Sequence, residues 1–132
     1  MESWLLDLEN NRSSILVVDD IYDNCFLIQS FLEAEGYEVD TAESGVEAIA
    51  KIELNLPTLV LLDVMMPDMN GYEVVENIRQ NLHLPNLPIL FVTGMDISAI
   101  PNAEKTHVNG VIHKPVDLEQ LLEKVQSFAQ PT

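Results

Sequence analysis

Leu59-Val60-Leu61-Leu62-Asp63-Val64-Met65-Met66-Pro67-Asp68-Met69-Asn70-Gly71 is the stretch that decides the fold. Its apolar run leads straight into an aspartate, and a loop bearing Pro, Asp, Asn and Gly follows at once. A short apolar run bounded by turn signals reads as a strand buried on both faces. In an open α/β sheet, ligands sit outside the carboxyl ends of the strands, and Asp63 stands at such an end. A carboxylate there is either a functional group or an odd choice for a strand terminus. The partners that the rest of the chain supplies favour the functional reading.

Working outward, the same pattern recurs on both sides. Before it, Ile15-Leu16-Val17-Val18 is a buried strand that ends in Asp19-Asp20. A helix is expected from about Tyr22 to Glu35, with Cys25, Ile28, Phe31 and Leu32 at helical intervals and Gly36 as its stop. Tyr37 to Thr41 gives a short strand through Val39. Ser44-Gly45-Val46-Glu47 matches a capping box that opens a helix to about Leu54, and Pro57 breaks it. Beyond the loop, Asn70 is placed to cap a helix carrying Tyr72, Val75 and Ile78, with Glu73 three residues on from the cap, that ends near Asn81. Ile89-Leu90-Phe91-Val92 is the next strand and delivers Thr93-Gly94. A helix is expected somewhere in Asp96 to Thr106, with Pro101 inside it. Gly110-Val111-Ile112-His113 is the fifth strand, followed by Lys114-Pro115. Asp117 and Gln120 begin a last helix with the apolar stripe Leu118, Leu121, Leu122, Val125 and Phe128.

Strands alternating with helices predict one α/β domain whose parallel sheet is covered on both faces. The expected boundaries are an N-terminal extension over 1–13, the domain over 14–129 and a tail over 130–132. In the extension, Trp4, Leu5 and Leu8 either make the apolar face of a short helix docked on the domain or belong to a frayed terminus.

At 132 residues the chain has the size of a single domain. Its 22 acidic residues against 6 Lys and Arg give a formal net charge of -16, which argues against a nucleic-acid surface and favours cations and basic partners. No apolar run reaches a membrane helix's length, and no stretch resembles a signal peptide. A single cysteine, Cys25, suits a cytoplasmic, reducing setting and reads as a small buried hydrophobe within a helix. His83, His107 and His113 show no zinc-ligand spacing, so any metal should be a hard, oxygen-liking cation.

The polar residues at the strand exits are Asp19, Asp20, Asp63, Thr93 and Lys114. In a parallel sheet these exits share one edge, so the five groups should face one another across a small cleft. Three carboxylates crowd together only when cations offset their repulsion. Lys114 supplies one positive charge, and hard oxygen ligands with room for water point to Mg²⁺ for the rest. Such a site suits a phosphoryl group. Asp63 would be the nucleophile, Lys114 and Mg²⁺ would neutralise the transferring oxygens, and the Thr93 hydroxyl would hydrogen-bond one of them.

Asp19-Asp20 after a buried strand, Asp63 with Met66-Pro67-Asp68-Met69-Asn70-Gly71 behind it, Thr93-Gly94 and Lys114-Pro115 together resemble the receiver domain of two-component response regulators. The likeness covers roughly 14–129, with its elements in order and at the family's spacing. It implies a doubly wound five-stranded sheet, flavodoxin-like, in the order 2-1-3-4-5. It implies that Asp63 accepts a phosphoryl group from a histidine kinase or histidine phosphotransfer protein. It further implies that Asp20, Asp63 and the Met65 backbone carbonyl ligate Mg²⁺, with Asp19 acting through water. Thr93 and Lys114 would contact the phosphoryl oxygens, and the Lys114-Pro115 peptide would be cis.

Taken singly, Asp19-Asp20 would more often be an N-cap pair, Lys114 a solvated lysine and Thr93 a loop hydroxyl. Two departures from the family bear on output. Val111 stands where an aromatic residue is common, so the aromatic half of the family's switch is missing. Output through another face, through the Trp4-bearing extension or through a change in partner binding is then expected. Met65, two residues beyond Asp63, offers an attacking water no hydrogen bond, which predicts slow self-dephosphorylation. The expectation is a stand-alone receiver, or one cut from a longer protein. It would act through phosphorylation-dependent contacts with a downstream protein or as an intermediate phosphate carrier in a phosphorelay, with a homodimer as one possible assembly. It is not an enzyme with a turnover substrate. The alternative is a pseudo-receiver docking module that is not phosphorylated. An aspartate-based phosphatase would need a second acid where Met65 stands.

Overall fold

A computed structural model of the chain describes residues 13–102 and 107–131. Its strands are β1 (Ser14–Val18), β2 (Glu38–Ala42), β3 (Leu59–Asp63), β4 (Ile89–Thr93) and β5 (Gly110–His113). All pair in parallel in one sheet of order β2-β1-β3-β4-β5, the order that the resemblance implies. Its α-helices include α1 (Tyr22–Ala34), α2 (Gly45–Leu54), α3 (Gly71–Glu76) and α4 (Leu118–Gln126). No helix among the described residues is long and apolar enough to cross a membrane.

Side chains alternate across a strand, so a strand buried on both faces feeds two cores. Leu16, Val18, Val60, Leu62 and Phe91 pack with Ala48 and Ile52 of α2 and with Val74, Val75 and Ile78. Ile15, Val17, Leu59, Leu61, Leu90, Val92 and Ile112 pack on the other face with Cys25, Ile28 and Leu32 of α1 and with Leu121 and Val125 of α4. Every residue of β3 and of β4 is buried. The strand order reverses between β1 and β3, and a doubly wound sheet opens its binding crevice at that point.

The helix ends match their sequence signals with one exception. Ser44 caps α2 by accepting from the Glu47 N–H, but the Glu47 carboxylate lies 3.7 Å from the Lys51 ammonium instead of completing the expected capping box. The complete box is at α3, where Asn70 accepts from the Glu73 N–H and Glu73 accepts from the Asn70 N–H. Gly36 ends α1's turn with φ 98°, a conformation that costs a residue without a Cβ little. Past Glu76 the helix widens into a π turn over Asn77–Asn81. Arg79 leaves that turn to donate to the carbonyls of Leu84, Leu87 and His107, fastening the approaches to β4 and β5.

Of the helix expected somewhere in 96–106, Asn102 is helical, as is His107 beyond it. A 3₁₀ turn covers Ile97–Ala99, and Pro101 follows outside any helix. Residues 103–106 lie outside the described residues, as does the expected Trp4, Leu5 and Leu8 face.

Candidate functional site

Pleat alternation carries Asp19, Asp63 and Lys114 onto one side of the sheet's carboxyl edge. They continue the rows of Val17, Leu61 and Ile112, which face α1 and α4. Thr93 continues the row of Phe91, which faces the other core. The site therefore straddles the edge, with the charges on one side and the hydroxyl on the other.

One oxygen from each of Asp19, Asp20 and Asp63 lies within 4.8 Å of the others. Asp19 and Asp63 are buried, while Asp20 stands nearer solvent. The Lys114 ammonium donates to Asp19 Oδ2 at 2.7 Å and lies 3.5 Å from Asp63 Oδ1. The Lys114–Pro115 peptide is cis. The sequence thus named five groups of which the structure gathers the three carboxylates and the lysine. Thr93, fully buried, ends the strand beside β3, and its Oγ1 accepts from the Met95 N–H at 3.0 Å. The Met65 N–H reaches Asp63 Oδ1 at 3.4 Å, and the Met65 side chain is exposed beside it.

Neither Asp19 nor Asp20 caps α1, so the commoner use of such a pair does not apply here. The N-cap position belongs to Ile21, whose side chain makes no capping bond. Asp19 Oδ1 accepts from the Ile21 N–H at 2.9 Å, and Oδ2 accepts from Asn24 Nδ2 at 3.2 Å as well as from Lys114. Among the described residues, no hydrogen-bond donor meets the Asp20 carboxylate.

Burial pushes the Asp63 carboxyl above the ordinary carboxylate range, and the Asp19 charge adds to the rise. Lys114 and the Met65 N–H only partly offset it. Burial alone disfavours the Lys114 ammonium, but its hydrogen bond to Asp19 and the charges of Asp63 and Asp19 outweigh this and raise its pKa. Two acids against one fixed ammonium leave negative charge over, with Asp20 adding more. This all-oxygen set suits a hard divalent cation with several waters, which is the chemistry of Mg²⁺.

Several contributors escaped the sequence reading. Asn24 and Cys25 both fasten Asp19, Asn24 at the carboxylate and the Cys25 thiol at the backbone carbonyl, 3.4 Å away. Burial first, then the Asp19 charge, pushes that thiol up to about 11, so it stays protonated and inert. The available signal was spacing, since the first turn of a helix that follows a strand comes back over the strand's end. Gly71 is the other contributor. Its N–H donates to Val64 O at 2.9 Å, and a Cβ there would stand 2.6 Å from Asp63 O.

A model of the response regulator receiver domain family matches residues 15–126. The response regulator PleD of Caulobacter vibrioides is 36% identical over 118 residues, which are 88% of this chain and 26% of PleD. This chain therefore spans about a quarter of that relative's length. The polar-differentiation response regulator DivK of Brucella ovis is 28% identical over 118 residues, 87% of this chain and 94% of DivK. Among solved structures, a putative response regulator from Chloroflexus aurantiacus superposes with a TM-score of 0.80 at 34% identity, covering 89% of this chain and 97% of that one.

Proposed function

The chain belongs to the response regulator receiver domain family, and from that premise we propose that Asp63 accepts a phosphoryl group from a phosphohistidine donor and passes the signal on through protein contacts. The observation that carries the reading is Lys114, held between the buried carboxylates of Asp19 and Asp63 at 2.7 and 3.5 Å.

In this reading an Asp63 oxygen attacks phosphorus. A P–O bond forms, the P–N bond breaks, and its electron pair returns to the donor's imidazole, which takes a proton from solvent. Lys114 neutralises charge on the transferring oxygens. Thr93 holds its oxygen on the Met95 N–H and turns its own hydrogen to a phosphoryl oxygen. Asp20, Asp63 and the Met65 carbonyl would hold Mg²⁺, with Asp19 acting through water, and the bound ion would supply the positive charge that this acidic cluster lacks. The three bonds already made to Asp19 support its indirect role, and the open Asp20 carboxylate supports direct ligation. Hydrolysis returns the carboxylate when water attacks the same phosphorus. The donor would be a histidine kinase or a histidine phosphotransfer protein, and the receiver has no turnover substrate of its own.

Phosphoramidate, a small P–N donor, tests the chemistry in the presence of Mg²⁺. The expected product is a protein-bound phosphate released by hydroxylamine, as an acyl phosphate is. A label that resists hydroxylamine would contradict an acyl phosphate on Asp63, and no label at all would favour a docking module that is never phosphorylated.

A further inference from the structure

Asp19 is the most heavily bonded of the clustered carboxylates, and one of its partners takes no part in the chemistry above. Asn24, on the first turn of α1, shares Asp19 Oδ2 with Lys114, at 3.2 Å against 2.7 Å. Lys114 stands farther, at 3.5 Å, from Asp63. In the resting protein the lysine is thus held by Asp19 more closely than by the carboxylate that would carry the phosphoryl group.

We propose that Asn24 is a positioning residue that frees Lys114 for the phosphoryl group by keeping Asp19 paired after the lysine leaves it. The inference rests on Asp63 being the phosphoacceptor. When Lys114 turns toward oxygens on Asp63, Asp19 Oδ2 loses its charged donor at a position only 3% exposed. An unpaired carboxylate oxygen is costly there. The Asn24 amide stays on that oxygen while the Ile21 N–H keeps the other. An amide suits the task because it donates without charge. A cation at this place would discharge Asp19 and weaken its pull on a metal, and another acid would compete for Lys114. The turn that carries Asn24 is itself fixed, since its N–H is bonded to Ile21 O at 3.1 Å and the neighbouring Cys25 is buried under the Asp19 carbonyl.

Asn24 should therefore matter more once a phosphoryl group is present than before. Calorimetry gives the Mg²⁺ affinity of wild type, Asn24→Ala and Asn24→Gln. Fluorine NMR gives their affinity for beryllofluoride, a mimic of the phosphoryl group on a carboxylate, at saturating Mg²⁺. Asn24→Ala should weaken beryllofluoride roughly tenfold and Mg²⁺ by no more than about twofold, and Asn24→Gln, which keeps the donor, should recover most of the loss. Equal losses for both ligands, or no loss for beryllofluoride, would overturn the inference. Should Asn24→Ala fail to unfold cooperatively, Asn24→Ser carries the same comparison. A wild type that binds Mg²⁺ but takes up no beryllofluoride would overturn the phosphoacceptor reading and this inference with it.

Discussion

β3 ends in Asp63 and β4 in Thr93, and the loops that follow the two are built differently. Behind Asp63 the chain is closely held. Gly71 donates back to Val64 O, the Asn70 and Glu73 capping box starts α3, and α3 abuts the strand so closely that a Cβ on Gly71 would lie 2.8 Å from Val64 Cα. Behind Thr93 a hydrogen bond from the Met95 N–H to Thr93 Oγ1 closes the turn, and a Cβ on Gly94 would meet nothing within 4 Å. The difference teaches which half is closely packed. The carboxylate stands before a closely held loop, and the buried hydroxyl stands before an open one.

The sharpest way to break that comparison is to add one methyl group to each loop. Gly71→Ala should cost about 3 kcal/mol in urea unfolding, because the clash is with backbone. Gly94→Ala should change stability by no more than about 0.5 kcal/mol. Similar losses at the two positions would remove the contrast.

Next in size is the charge on the closely held side. Because the Asp63 pKa is raised in the folded state, the proton-linked stability of this group is present in acid and is lost as pH rises through the folded value. Asp63→Asn should accordingly stabilise the metal-free protein at neutral pH by about 1 kcal/mol, most of the like-charge repulsion being offset by Lys114. The gain should vanish on acidification and on adding Mg²⁺. Thermal melts with a chelator, across pH, check this.

A smaller effect is expected at the mouth of the site, where Met65 is exposed beside Asp63. Met65→Asn should speed loss of the phosphoryl group about fivefold by giving the attacking water a hydrogen-bond partner. A wild-type half-life of seconds with Mg²⁺ present would contradict the slow decay expected of the methionine. The smallest change concerns the open side. Val111, half-buried and paired with Phe91 across β4 and β5, leaves the core beneath Thr93 without a ring from β5. Val111→Tyr should keep phosphorylation within about twofold of wild type. It should nevertheless alter hydrogen exchange in β5 when beryllofluoride binds. An identical structural response in both proteins would count against a role for the missing ring.

Much of this was legible in the residues because apolar strands and turn signals are local. Leu59 to Leu62 and Ile89 to Val92 had no other place than the sheet's centre, which brought the polar exits to one edge. That Thr93 lies across the sheet from Asp19, Asp63 and Lys114 emerged from the structure. Asn70 announced the start of α3 by its own chemistry. What was not legible depends on where separate elements meet. Glu73 closes the box with Asn70 that its spacing announces, but Glu47, in the same spacing from Ser44, is drawn to Lys51. The π turn at Asn77–Asn81 accompanies the reach of Arg79 to carbonyls that the helix pattern does not reveal. Asn24 looked like one more polar residue on α1, and only the return of that helix over β1 places its amide on Asp19.

The central claim, that Asp63 is a phosphoacceptor dependent on Mg²⁺, is tested most directly by intact-mass spectrometry after incubation with acetyl phosphate. A single phosphoryl adduct on the wild type, absent from Asp63→Asn and absent without Mg²⁺, is the result predicted. An adduct that survives Asp63→Asn, or a wild type that binds Mg²⁺ and gains no mass, would contradict it.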